Sequence, residues 1–478
     1  LRRATPEGET VHALPPAEAP PPPERIALPD PGRPEGPLER PGYRATEMPR
    51  PRTAAGEDLV MPGAIACDPR DGRVFVASMK RGEIFVLKPD GPPVFEDYAR
   101  GLFQEAYSMK AEADALYVLH RRHLSALRDT DGDGRADRVD QVARLPQAAG
   151  EVYDYGYGLV RDRSGAFLAS FAPHGNRKIP GSGSLVRLGK DGALEELAWG
   201  FRNPIGWCTD AAGEVYFTDN QGEWVATNKL CHVVPGRFYG YPNSDQRHHD
   251  RKPHARTAVW VPYAWARSIN GATCDTSGGK FGPFDGQMFL AELMYGGAIV
   301  RAQVEHVNGQ AQGACFPFWG RGLLGPVTLA FDPKGRLWVG SITEPGWMAQ
   351  PDRGGVYRID FTGDVPFEIR SIHVRPRGFR LVFTRPVDPP AASNIASYVV
   401  DHHRYEYTGA YGSPELDRTP APAEAVALSP DGLSVELTLP PLVKDRVYMI
   451  SAPGVRSSEG EPLVHPTGAY TLHETPQD

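Results

Sequence analysis

The densest run of chemistry-bearing side chains is Asp129-Thr-Asp-Gly-Asp-Gly-Arg-Ala-Asp137, with Asp140 just after it. Counted as a twelve-residue loop from Asp129, it sets Asp129, Asp131, Asp133, Asp137 and Asp140 at positions 1, 3, 5, 9 and 12, and Gly134 at position 6. Calcium takes six to eight oxygen ligands, and a glycine midway permits the sharp turn that wraps them around the ion. Position 12 carries an aspartate where a longer glutamate usually closes the loop, so Asp140 reaches with one oxygen at most. No helical period flanks the run, which makes it a loop between strands. Like charges crowded into one turn repel unless something neutralises them. A bound Ca2+ is the expected occupant, and a solvated acidic turn is the alternative.

The remaining polar clusters say less. His248-His249-Asp250 and His254 lie in a polar stretch. His402-His403 sits near Tyr405 and Tyr407, and His120 with His123 brackets Arg121 and Arg122 after an apolar run. The first two clusters read as solvated histidines more readily than as metal ligands, and the third reads equally as the lining of a channel mouth and as a charged loop. There is no glycine-rich phosphate loop, no GxSxG elbow and no HExxH zinc helix. The cysteines (Cys67, Cys208, Cys231, Cys274, Cys315) form no CxxC pair, and Cys231-His232 has no cysteine three residues before it. Neither a covalent c-type haem nor a cysteine-rich zinc site is expected in this chain.

Charge and hydropathy narrow the classes further. Lys plus Arg total 52 and Asp plus Glu 59, a net charge of −7, with no basic stripe, so no nucleic-acid partner is expected. No run of 18 apolar residues is present, so no transmembrane helix is expected. The sequence opens at Leu1 with neither Met nor a hydrophobic leader, the pattern of a processed, exported product with a periplasmic or extracellular location, associated with a membrane only through partners.

The elements that would position these residues follow from periodicity. Residues 1–60 are proline-rich, with 13 prolines in the first 50 and runs such as Ala19-Pro20-Pro21-Pro22-Pro23. They lack a hydrophobic period and read as an extended arm without regular strands, lying on the next domain or on a partner. From residue 61 a unit recurs every 40–50 residues or so: an Asp- and Gly-bearing turn, a short apolar run, then a small residue. Asp68-Pro-Arg-Asp-Gly-Arg-Val-Phe-Val-Ala-Ser78, Arg161-Asp-Arg-Ser-Gly-Ala-Phe-Leu-Ala-Ser170 and Asp332-Pro-Lys-Gly-Arg-Leu-Trp-Val-Gly-Ser341 are clear copies. Six copies in residues 61–363 predict an all-β, six-bladed β-propeller. Residues 364–478 replace the unit with period-two runs such as Phe379-Arg-Leu-Val-Phe383 and Ser434-Val-Glu-Leu-Thr-Leu439. They predict a small β-sandwich of fibronectin or immunoglobulin type.

Three blocks carry a resemblance: Gly200-Phe-Arg-Asn-Pro-Ile-Gly206, Tyr216-Phe-Thr-Asp-Asn-Gln-Gly222 and Pro235-Gly-Arg-Phe-Tyr-Gly-Tyr-Pro242. Together they resemble one blade of the soluble quinoprotein glucose/sorbosone dehydrogenases, six-bladed propellers that use pyrroloquinoline quinone (PQQ) and calcium. With Gly279-Lys-Phe-Gly-Pro-Phe284, Gln312-Gly-Ala-Cys-Phe316 and Tyr411-Gly-Ser-Pro414, residues 60–474 resemble more closely the "membrane-bound dehydrogenase-like" propellers of planctomycetes. The resemblance implies that Arg202, Asn203, Gln221 and Gly222 contact the quinone and that Arg321 is the remnant of a pair of arginines. It also implies that Asp154 stands where the family has its general-base histidine. The family lysine, which should fall near Leu293-Met-Tyr295, is missing.

Two functions therefore stand side by side. One is a PQQ-dependent sugar or aldehyde oxidoreductase, with Asp154 as base, passing electrons to a separate cytochrome. The other is a non-catalytic binding or assembly subunit of a larger redox or cell-surface complex that kept the fold and lost the catalytic His and Lys. Protein partners are expected under both, and a carbohydrate ligand fits either.

Overall fold

The computed structural model describes residues 2–4, 10–11, 38–50, 58, 60–90, 93–102, 106–120, 123–144, 156–171, 183–189, 193–242, 254–294, 297–346 and 348–477. Its smallest building unit is the Asp-Gly turn of the repeat. In three blades one carboxylate oxygen accepts two backbone N–H groups. Asp162 accepts from Ser164 (2.8 Å) and Ala166 (3.1 Å), Asp210 from Ala212 and Glu214 (both 2.9 Å), and Asp332 from Lys334 (2.9 Å) and Arg336 (3.1 Å). Gly165, Gly213 and Gly335 close these turns at φ between 78° and 81°, where a side chain would be strained. The apolar run after each turn is a buried strand, wholly so in Val74–Ser78 and Val215–Asp219.

Each turn joins the first two strands of a four-stranded antiparallel sheet, and six such sheets form the blades. Blade 1 is Pro62–Cys67, Val74–Ser78, Glu83–Leu87 and Glu96–Ala99. The innermost strands of the six blades are Pro62–Cys67, Ala106–Ala111, Gly156–Arg161, Trp207–Thr209, Ile269–Cys274 and Gly325–Phe331. Each packs against the next, and the sixth packs against the first, so the ring is closed. The cores lie between neighbouring blades, for example Phe75, Val118 and Leu127 between blades 1 and 2.

Two parts of the supposed arm belong to this propeller, which corrects the expectation for residues 1–60. Tyr43–Glu47 pairs antiparallel with Arg353–Phe361 and completes blade 6 as its outer strand. The physical reason is Tyr43: its ring is 1% exposed, lies 5.0 Å from the rings of Phe281 and Phe318, and its hydroxyl donates to the Phe281 carbonyl at 3.0 Å. The Arg2–Ala4 backbone also adds in parallel to Arg138–Arg144, the outer strand of blade 2.

The last module is joined to the propeller by its sheets. The outer strand of blade 5, Gln310–Trp319, pairs antiparallel with Thr467–Leu472. Blade 5 thereby continues through Arg446–Ser451, Val399–Arg404 and Leu416–Pro420 as one eight-stranded sheet. A second sheet (Ile369–Arg375, Gly378–Phe383, Ser434–Thr438, Ala425–Leu428) faces it across one core that includes Phe316, Ile372, Phe379, Leu437 and Tyr470. Gly468 is required at the crossing: a Cβ there would stand 2.5 Å from the Phe316 ring. Among the described residues no helix is long and apolar enough to cross a membrane.

Arg301 of blade 5 lies in this joint, wholly buried. Its guanidinium is sandwiched between the Phe284 and Phe316 rings, at 4.1 and 4.0 Å from their centroids. It donates to Gln287 Oε1 (2.9 Å), to the Arg370 carbonyl (3.0 Å) and to the Ile369 carbonyl. Burial pulls it down to about 10, with Glu368 opposing, so it stays charged at neutral pH. Truncation would leave buried carbonyls unpaired and remove the cation beside Glu368. Arg301→Ala is expected to cost about 3–5 kcal/mol, read as a shift in the denaturant midpoint. A loss below about 1 kcal/mol would show that the joint does not depend on this charge.

Candidate functional site

The propeller axis is the place to look for a channel-bound ligand. The six inner strands line a cavity of about 80 Å3, with Ala64, Ser108, Gly158, Trp207, Ala272 and Thr328 among its walls and no charged side chain among the described residues that line it. Pockets for organic ligands usually span ~300–1,000 Å3.

The three sequence blocks of blade 4 converge beside this axis. Asp219 ends the second strand of the blade, wholly buried, and accepts from the Arg202 N–H (3.1 Å) and the Asn203 N–H (2.6 Å). The Arg-Asn-Pro turn is thus folded by its backbone around a carboxylate. Burial pushes the Asp219 carboxyl up, against the pull of Lys229 and of the two amides. Lys229, also wholly buried, lies 3.9 Å from Asp219 Oδ2 and donates to the Tyr239 carbonyl at 2.8 Å. Burial draws the ammonium down, but Tyr407, Cys231 and Asp219 outweigh it and hold the group charged. Gln221 is pinned by Asn228 Oδ1, which accepts its N–H at 3.2 Å.

Arg202 is consumed locally. Its Nη2 donates to Glu223 Oε2 at 2.9 Å, its Nε to the same oxygen at 3.2 Å, and its Nη1 to the Gln221 carbonyl at 3.1 Å. Gly222 is needed here because a Cβ would fall on the Arg202 guanidinium.

A loop of the last module covers this block. Trp224 donates its N–H to the Thr408 carbonyl (2.7 Å), Gly412 to the Gly222 carbonyl (3.0 Å) and Ser413 to the Ala226 carbonyl (2.7 Å). Tyr411 stacks on the seam, its ring centroid 5.4 Å from the Arg202 guanidinium carbon, and its outer side is 67% exposed. Tyr407 packs against Gly240, where a Cβ would approach its ring to 2.7 Å, and its hydroxyl bonds Thr257 Oγ1 at 3.2 Å. Trp224 sits at φ 61°, a left-handed conformation that costs about 1–3 kcal/mol in a residue with a side chain. The main-chain bond to Thr408 holds it there. Among the described residues the matched guanidinium is held by Glu223 and the Gln221 carbonyl, and no cation lines the axial cavity, so these residues do not fit a quinone.

The other sequence-derived residues divide. Asp154 and His248-His249-Asp250 lie outside the described residues. Arg321 is exposed, and among the described residues its polar contact is through its carbonyl, which accepts from Trp319 Nε1 at 3.1 Å. It makes no contact with Arg202, Asn203 or Gln221. Sequence reading gave no role to Asp219 and Glu223, which stand within and directly after the Asp-Asn-Gln-Gly block, or to Lys229 on the following strand. It gave Tyr407 no role in this seam.

In the acidic loop, ligand atoms of Asp129, Asp131 and Asp133 lie within 4.8 Å of one another. Asp129 also caps the turn, accepting from the Gly132 N–H (2.7 Å) and the Gly134 N–H (3.0 Å). Asp137 faces Thr130, accepting from its N–H (3.1 Å) and its hydroxyl (2.6 Å). Asp140 departs from the expected ligand set. It lies in the strand Arg138–Arg144 and is paired with Arg138 Nε at 2.9 Å and with Arg128 Nη1 at 2.5 Å. Two guanidiniums compensate its charge, so the residues gathered for a cation are Asp129, Asp131 and Asp133.

No family model matches the chain, and no curated protein sequence does. Among solved structures, one described as glucose dehydrogenase aligns with a TM-score of 0.50 at 16% identity, over 66% of this chain and 98% of its own. At that identity the likeness shows the fold alone, a propeller. The PQQ-bound aldose sugar dehydrogenase of Streptomyces coelicolor aligns with a TM-score of 0.48 at 16% identity, over 68% of this chain and 99% of its own. The soluble aldose sugar dehydrogenase of Escherichia coli gives 0.49 at 14% identity, over 67% and 99%.

The loop has a direct thermodynamic test. A cation that binds only the folded chain adds RT ln(1 + [L]/Kd), about 2.7 kcal/mol at a hundred times Kd. Millimolar Ca2+ is expected to raise Tm relative to excess chelator, and the double variant Asp131→Asn/Asp133→Asn is expected to abolish the difference. Superimposable melting curves for the unsubstituted chain would refute a cation in this loop.

Proposed function

We propose that this chain is a non-catalytic binding and assembly propeller, exported to the periplasm or cell surface, that retains the fold of the quinoprotein sugar dehydrogenases without their cofactor site. One observation carries the reading. The Arg202–Gln221–Gly222 block, which the resemblance assigns to the quinone, clasps Glu223 and the Thr408–Ser413 loop of the last module instead. The resemblance to the planctomycete-type propellers fits the same picture. Their shared blocks map onto seams of this molecule: Gly279–Phe284 under Tyr43 and Arg301, Gln312–Phe316 in the shared strand, and Tyr411–Pro414 on blade 4. Asp129, Asp131 and Asp133 would hold a Ca2+ that stiffens blade 2. The partners would be other subunits of a redox or cell-surface complex, a cytochrome among them.

The experiment compares the two jobs of Arg202. Titration with PQQ and Ca2+ is expected to leave the quinone absorbance unchanged and to give no sugar-dependent dye reduction. Arg202→Ala is expected to destabilise the fold by about 1–3 kcal/mol and to speed amide exchange in 408–413. Stoichiometric quinone binding with sugar-dependent turnover, lost in Arg202→Ala, would overturn this reading in favour of the oxidoreductase.

A further inference from the structure

The loop that covers blade 4, residues 405–415, joins two strands that pair side by side, Val399–Arg404 and Leu416–Pro420. His403 stands just before this loop and Glu415 ends it. His403 is wholly buried, and neither of its ring nitrogens has a hydrogen-bond partner among the described residues. Its Nε2 faces Glu415 Oε1 at 3.9 Å, beyond hydrogen-bond reach. The Tyr405 ring stands edge-on to it, 5.0 Å between centroids, and the Tyr405 hydroxyl is likewise buried and unpartnered. An orphaned imidazole therefore sits at the base of the loop.

The groups around it leave no place for a second cation. Asp401 shares its face of the strand, and His402 is adjacent. Arg418, from the facing strand, already binds both nearby carboxylates, Nη1 donating to Glu415 Oε2 at 2.7 Å and Nη2 to Asp401 Oδ2 at 3.1 Å. On the other side His403 pairs with Val447, which is apolar, and Arg446 next to it acts on His402. Blade 4 brings the Trp260 ring, 5.5 Å from that of Tyr405, and blade 5 the Cys315 thiol, which burial keeps neutral. Lys229 and His254 meet the loop through Tyr407, at 5.3 and 4.8 Å from its ring centroid. Burial holds the His403 imidazole below its usual range; Arg418 adds to this, and Glu415 opposes it. The ring is neutral at pH 7.

The loop itself has two opposed tendencies. Main-chain bonds of Trp224, Gly412 and Ser413 seat it on blade 4, while the left-handed backbone of Trp224 is strained as long as the Thr408 carbonyl holds it. We propose that His403 is a proton-operated latch for this loop: the neutral imidazole allows the seated position, and protonation at mildly acidic pH releases residues 405–415 from blade 4. In the released loop water solvates the imidazolium that the closed seam excludes. A free imidazole protonates near about 6.5. Below that pH the released loop takes up a proton that the seated loop refuses, so falling pH favours release, by at most about ten-fold per pH unit. Above it no proton is at stake and the seat holds. Release would bare the Gly222 and Ala226 carbonyls, which the loop now occupies, to another partner. The latch rests on the clasp alone and holds for an assembly subunit and for an oxidoreductase alike.

The test is hydrogen exchange of the full chain, read as protection factors of the Trp224, Gly412 and Ser413 amides between about pH 7.5 and 5.5. Protection is expected to fall about five-fold or more over that range, with the strand Val74–Ser78 of blade 1 unchanged as the internal reference. His403→Phe fills the site with a ring that does not titrate. It is expected to remove the fall while leaving His402 and His254 in place. Histidine-selective NMR of the unsubstituted chain, which needs no variant to fold, is expected to show His403 neutral at about pH 7 and gaining its proton in step with the loss of protection. Protection indifferent to pH, a fall that survives His403→Phe, or a His403 already cationic at neutral pH would each overturn the latch.

Discussion

The outer strand of blade 5 has to satisfy two cores at once. Ala311 and Cys315 pack toward blade 4, while Ala314 and Phe316 pack into the two-sheet module. The alternation of a strand makes this possible, because successive side chains point to opposite faces. It leaves Arg301, on the neighbouring strand, in the dry layer between them. That cation is tolerable only because the carbonyls of Ile369 and Arg370, from the other module, accept its hydrogens. Removed from one another, each part would keep an unpaired buried polar group. The propeller and the two-sheet module are therefore one cooperative unit.

The same constraint recurs along the seam. Arg40, from the N-terminal segment, lies 4.3 Å over the Phe318 ring and bonds Glu368 Oε1 at 2.9 Å, an oxygen also bonded by His465 Nδ1 at 2.9 Å. Burial raises the Glu368 carboxyl, but His465, Arg301 and Arg40 outweigh it and hold the group low. Lys229 with Asp219, and Arg202 with Glu223, mark the other end of the contact. Desolvated charges add little net stability. What these pairs impose is position, because a misplaced module would strand a charge in an apolar layer. The loop that covers Arg202 continues from the strand Val399–Arg404, which the extended sheet delivers to blade 4.

The blades were legible because their signal is local. An aspartate that caps its own turn and a glycine at positive φ recur in blades 1, 3, 4 and 6, and the apolar run beside them is short and continuous. Tyr43–Glu47 was not legible, since five residues in a proline-rich stretch carry too little alternation to mark a strand. Its partner lies some three hundred residues away, where only tertiary packing of Tyr43 can specify it. Spacing alone put Asp140 among the cation ligands, but Arg128 and Arg138, which flank the acidic run on either side, claim it once the strands pair. Arg202 shows the same limit. The motif preserves the residue and its turn, while the groups that decide its use, Glu223 and Tyr411, come from a neighbouring turn and a distant module.

Closure of blade 6 has a kinetic side. The ring is complete only when Tyr43–Glu47 meets Arg353–Phe361, so a nascent chain carries its own final strand, unpaired, until nearly all of the propeller has been made. Contacts of such sequence separation form late and slowly, since loop-closure entropy is spent before they yield anything. The order reverses on unfolding. Because this pairing ties the two ends of the ring together, its release lets blades 1 and 6 part, and a contact made late in folding acts mainly on the rate of unfolding.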